Sequence, residues 1–129
     1  MINQDAARSV LKRKLTRAID AVELLLISRT PDTIYDAHDI SETTITKIKL
    51  QLELNSLLLE EAKDKEEKKL TEERKELKDD LAVELEDGLD ILNTISTSLR
   101  LGGNGDLAME FEILRDVRES ELNELKKSS

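Results

Sequence analysis

A single histidine, His38, stands in the 129 residues, with Asp36 and Asp39 beside it. An imidazole among carboxylates is the chemistry of a general base or a metal ligand. Either role needs further groups converging from other segments. The pattern supplies none, so His38 reads as a surface residue of a connecting segment. Carboxylates are abundant, and helical bundles use them to hold di-iron centres, but such a centre takes Glu-x-x-His from two helices. Here there is one His, and Tyr35 stands three residues before it. Cysteine is absent, which removes disulfides, thiolate metal sites and a Cys nucleophile. No EF-hand loop and no Gly-x-Ser-x-Gly elbow occurs. Gly102-Gly103-Asn104-Gly105 has the composition of a phosphate-cradling loop, but it lacks a following Lys-Ser/Thr and a preceding strand. It reads as a turn. The expectation is a non-enzyme with no catalytic residue, no metal and no cofactor.

The strongest electrostatic feature is basic. Arg8, Lys12, Arg13, Lys14 and Arg17 fall within ten residues. Such a cluster is suited to RNA or to an acidic membrane surface. No aromatic residues interleave with it for base stacking, so the plainer reading is the solvated flank of a helix that complements an acidic body. Residues 1–29 carry a formal charge of +3 and the remainder −12, for a net −9.

These residues must be positioned by helices. Charged residues make up 38% of the chain and aromatic ones 2%, with one Pro and four Gly. A core of Leu, Ile, Val and Ala then follows, as in bundles and coiled coils. The chain is predicted to be one all-α domain, 1–129, built on a long central helix over about 41–101, with antiparallel shorter helices at 5–29 and 106–126. In the first helix, capped by Asn3 or Asp5, the positions Leu11, Leu15, Ala18, Val22 and Leu25 step by 4, 3, 4, 3, a heptad seam. Thr30-Pro31 ends it, since proline disfavours a helical residue before it. Residues 30–40 form a connection with Thr30 as a local cap.

Ser41 is the predicted cap of the long helix, with an Ile40–Ile45 staple. Two apolar rows follow: Ile45, Ile48, Leu52, Leu59 and, on another side, Leu50, Leu54, Leu57, Leu58. From 60 to 80, seventeen of 21 residues are charged, and their interleaved signs support a solvated helix through pairs three or four apart. With no turn former present, the helix is expected to continue, at roughly 90 Å overall from ~1.5 Å rise per residue. The alternative is a compact four-helix bundle with a reversal near 63–70. From Leu77 the seam returns through Leu81, Leu85, Gly88, Leu92, Ile95 and Leu99. Gly88 on the seam marks a close approach or a slight kink. Gly102 is expected in the left-handed position at the helix end, and Asp106 as the next cap. The last helix carries the stripe Leu107, Phe111, Leu114, Val117, Glu121 or Leu122, Leu125.

No apolar signal segment opens the sequence, and its longest uninterrupted apolar run, Leu24 to Ile27, is far too short to span a bilayer. The chain is read as having no transmembrane segment and as intracellular, in the cytoplasm.

At Leu11-Lys12-Arg13-Lys14-Leu15-Thr16-Arg17 the chain resembles the opening helix of the Gag polyproteins of Bel/Pao-type retrotransposons, whose N-terminal region has an Arg/Lys-rich Leu-Lys-x-x-Leu-Thr-Arg helix. Lys49-Leu50-Gln51-Leu52-Glu53 is similar to a later Lys-x-x-Leu-x-x-Glu helix, with the spacing displaced by a residue. The acidic stretch at 60–90 has its counterpart there too. The resemblance covers about residues 8–95. It implies an N-terminal fragment or small derived protein with a structural role in assembly, and it carries over no catalytic residue.

The functional expectation is a helical self-assembly and protein-interaction module, a homo-oligomer with a dimer favoured. The seam residues expected at the interface are Leu11, Leu15, Val22, Leu25, Ile45, Ile48, Leu52 and Leu59, with Leu81, Leu85, Leu92, Ile95, Leu99 and Leu114. The alternatives are an adaptor that receives an amphipathic helix of another protein, and a binder of RNA or a membrane surface through Arg8, Lys12, Arg13, Lys14 and Arg17.

Overall fold

The computed structural model describes residues 4–128, and those residues form four α-helices: α1 (Gln4–Ile27), α2 (Ile34–Glu61), α3 (Asp64–Leu101) and α4 (Gly105–Lys127). The all-α class holds. Asn3, one of the two predicted caps, lies outside the described residues.

The expected central helix is two helices. The chain reverses at Ala62-Lys63, both residues extended (φ/ψ −73/146° and −102/164°). Local propensity gives no reason to break there, and burial does. In the reversed chain Ile45, Ile48 and Leu52 of α2 close on Leu77, Leu81 and Leu85 of α3. Each buried Leu or Ile contributes about 1.5–3 kcal/mol. A two-residue break gives up a few backbone hydrogen bonds, each worth only about 0.5–1.5 kcal/mol net. Part of that loss is recovered, since the Ala62 amide still donates to Leu59 O (3.4 Å) and Glu67 to Lys63 O (2.9 Å). The charged run becomes the first half of α3, with Asp64, Glu66 and Glu67 at its positive end.

α2 also begins earlier than Ser41. Thr33 is its cap, in a reciprocal capping box: Thr33 Oγ1 accepts from the Asp36 amide and Asp36 Oδ2 accepts from the Thr33 amide, both at 3.1 Å. His38 therefore lies in α2 and not in a connection. It is half-buried and sits edge-on to Phe111, ring centroids 5.7 Å apart. α1 ends at Ile27, and residues 28–33, with Pro31, join it to α2.

Ser41 is buried where α2 crosses α3 at Gly88. A Cβ on Gly88 would lie 3.1 Å from Ser41 Oγ and 3.7 Å from Ile45 Cδ1, so this glycine serves close approach. At the α3–α4 turn the left-handed residue is Gly103 (φ +81°), not Gly102 (φ −81°). Asn104 holds the cap position of α4, and Asp106 falls inside its first turn.

Ion pairs and one hydrogen bond give the register. Glu23–Lys47 (3.4 Å) and Arg8–Glu60 (3.3 Å) set α1 antiparallel along the second half of α2. The Lys126–Glu86 pair (3.5 Å) and the Arg115–Asn93 hydrogen bond (3.3 Å) set α4 antiparallel along the second half of α3. The α2 residues that meet α1 include Lys47, Leu54 and Leu58. Those that pair with α4 are Glu42 and Lys49. At 100° per residue these two sets lie on opposite sides of α2. The α2/α3 hairpin is thus a spine, with α1 on one face beside the reversal and α4 on the other face at the far end.

Candidate interaction surfaces

Most of the residues expected at an interface are absorbed by this one chain. Ile45, Ile48, Leu81 and Leu85 form the central cluster with Leu122 of α4, and Leu52 packs against it. Leu92 and Ile95 are sealed, as is Ala108 of α4, and Leu15 is buried with Ile19 on α1. Val22, Leu59 and Leu99 are half-buried. The second α2 row is half-buried within the chain, and two of its residues, Leu54 and Leu58, share a groove of about 380 Å³ with Ile19 and Leu77. Leu11, Leu25 and Leu114 alone among the predicted set remain exposed.

Arg118 ties α4 to α2. Its guanidinium donates to both carboxylate oxygens of Glu42 (Nε to Oε1, 2.9 Å) and to Glu121 Oε1 (2.7 Å). Burial alone would lower its pKa, but the bonds and charges of Glu42 and Glu121 outweigh that and hold it above the ordinary value. At the far end Arg100 pairs with Glu112. The hydrogen bond from Arg100 holds the Glu112 carboxyl below its usual range.

The basic cluster divides. Arg8 and Lys12 pair with Glu60 and Glu61, two acids at the negative end of α2 that would otherwise oppose its dipole. Arg13, Lys14 and Arg17 are exposed and make no ion pair among the described residues. They lie on the outward face of α1 with exposed apolar residues: Val10 and Leu11 before them, Leu24 (69% exposed), Leu25 and Ile27 (82%) after. Val10, Lys14, Arg17, Ala21 and Leu24 repeat by 4, 3, 4, 3, a second seam that the first one hid.

α4 carries a matching face of opposite sign. Its inward side is Ala108, Phe111, Arg118, Leu122 and Leu125, so the expected stripe is rotated: Leu114 and Val117 face out. Met109 (55%), Ile113 (58%) and Val117 (49%) form an exposed row at i, i+4, i+8, with Leu114 on its flank. Glu110 and Asp106 are exposed beside it and make no ion pair among the described residues. The regular Met109–Ile113–Val117 spacing was present in the sequence, but Phe111 and Leu114 gave the stronger stripe.

Among the described residues no three His, Cys, Asp or Glu side chains group as metal ligands, and no helix is long and apolar enough to cross a membrane. The fold and these two faces define a four-helix bundle whose two outer helices carry exposed apolar side chains on their outward sides, in one row on α4 and divided on α1 by Lys14 and Arg17. No family model, no curated protein and no solved structure matches the chain.

Proposed function

We propose that this chain is a non-enzymatic helical interaction module that assembles with copies of itself. The observation that carries the reading is the placement of its exposed apolar side chains. Among the described residues, nine of the thirteen exposed large apolar side chains lie on α1 and α4, the others being Ile34, Tyr35, Val83 and Leu101, while Ile45, Ile48, Leu81 and Leu85 close the facing sides of α2 and α3. Single exposed apolar residues are ordinary on a soluble surface, and contiguous ones mark interaction sites. The Gag-type resemblance of residues 8–95 suggests the same role in a particular form, that of a structural assembly region.

Absolute mass by light scattering across a wide concentration range tests this. The expected result is a mass that rises with concentration above that of one chain, 14.6 kDa. A mass that stays at one chain up to millimolar concentration sinks the proposal. So does retention on RNA or on phosphatidylserine vesicles by a chain that stays monomeric, since that would assign the α1 face to a different partner.

A further inference from the structure

The two outward rows differ in sign, and that difference suggests how copies meet. α1 presents Arg13, Lys14 and Arg17 among Val10, Leu24 and Leu25, with these cations unpaired among the described residues. α4 presents Met109, Ile113 and Val117 beside Asp106 and Glu110. Neither face suits itself. Two α1 faces would bring three cations against three, and two α4 faces would oppose carboxylates, a like-charge juxtaposition that disfavours docking. α1 against α4 buries apolar residues on both sides and pairs opposite charges.

Resting on the self-assembly reading, we propose that the outward face of α1 in one copy docks on the outward face of α4 in the next. The two faces lie on opposite sides of the α2/α3 spine and at opposite ends of it, so one chain cannot satisfy itself. A contact between two different patches is heterologous, and it leaves a free α1 face at one end and a free α4 face at the other. Assembly then continues head to tail rather than stopping at the symmetric dimer. A net charge of −9 repels an anionic membrane and another copy alike, so the choice of occupant rests on the acidic α4 of another copy, which brings its own apolar row beside Asp106 and Glu110. Salt should weaken the contact, because its charges lie at the rim in water.

Two variants test it, each altering one exposed side chain and leaving the core intact: L24K on α1 and I113K on α4. Circular dichroism and thermal melting confirm the fold of each. The expected result is a series of masses beyond dimer for the unaltered chain, and monomers for each variant alone. Mixing the two variants should give a 1:1 dimer that grows no further. The I113K chain supplies an intact α1 face, the L24K chain supplies an intact α4 face, and one good contact exists between them. If either variant alone assembles like the unaltered chain, the contact lies elsewhere and the head-to-tail scheme is overturned while self-assembly stands. The scheme falls equally if both variants are monomeric and their mixture stays monomeric. An unaltered chain that is monomeric throughout overturns both the scheme and self-assembly.

Discussion

Beside α4 the α2/α3 hairpin closes mainly on apolar side chains, with Ser41 and Ser96 the buried polar residues there. Ile45, Leu85, Leu92 and Ile95 are all 1% exposed or less. Beside α1, toward the reversal, the same two helices meet through polar groups. Asn55 Nδ2 donates to Leu70 O at 2.9 Å, and Arg74 Nη1 donates to Ser56 Oγ at 2.7 Å. Buried Asn55 leaves its Oδ1 without a partner among the described residues. The difference shows what each half contributes. Leucine burial is strong but indifferent to a slip of one turn, because any Leu can meet any other. A buried amide bonded to one particular carbonyl is weaker and intolerant of slippage, as buried polar residues are in coiled coils. One end of the spine supplies stability, and the other fixes the register that brings Gly88 opposite Ser41.

The largest effect that separates the halves is a cavity. Leu85→Ala removes a side chain sealed against Ile45, Leu81 and Leu122 and is expected to cost about 3 kcal/mol. Leu58→Ala, in the groove under α1, removes a half-buried side chain from a site that already has open volume. It should cost about 1 kcal/mol or less. Urea unfolding of both variants checks this, and equal losses would erase the distinction between the two ends.

A smaller effect concerns how α4 is held. Arg118→Met keeps the length of the side chain and removes the fork on Glu42 and Glu121. Hydrogen bonds to charged groups are worth about 1.5–3 kcal/mol. Glu42 and Glu121 keep part of their exposure (32% and 29%), so screening reduces the expected loss to about 1–2 kcal/mol. Arg118→Lys should recover little of it, because an ammonium cannot make the two-pronged bond to Glu42. The loss should appear as a lower melting temperature, and a lysine variant as stable as the parent would show that charge alone is what matters there.

Much of this was legible in the sequence. The seam from Leu81 to Ile95, the close approach at Gly88 and the helix after Gly102–Gly105 all rest on local patterns, and the structure follows them. The reversal at Ala62-Lys63 was harder to place, because nothing local marks it. Two residues without turn character break the helix only because the rows on either side can then close on each other, a long-range gain that a window of sequence does not contain. The start of α2 was missed for a different reason. Ser41 is as good a cap by type as Thr33, and only the reciprocal Asp36 bond decides between them. The outward faces were hidden by stronger inward stripes: Leu15 and Leu122 belong to the regular inward patterns, whereas Leu24 and Ile113 stay exposed.

The smallest expected effect lies on the α1 face of the spine. Glu84 is partly buried in the groove with Thr44, Lys47 and Ile48. Burial raises its pKa, and the charges of Asp87 and Asp80 raise it further. The nearby ammonium of Lys47 pairs with Glu23 instead, at 3.4 Å. A raised pKa in the folded state means that the folded chain binds the proton more tightly than the unfolded chain does. Stability therefore falls as pH rises from the ordinary glutamate value of about 4.3 through the raised folded value. Glu84→Gln removes the charge that is penalised. The variant should melt at a higher temperature than the parent at pH 7, and the two should converge below about pH 4, where the parent is protonated in both states. A glutamine variant that is no more stable at pH 7 would mean that the groove hydrates this carboxylate well. The α1 side would then be open to water along more of its length than the buried Leu15 and Ile19 suggest.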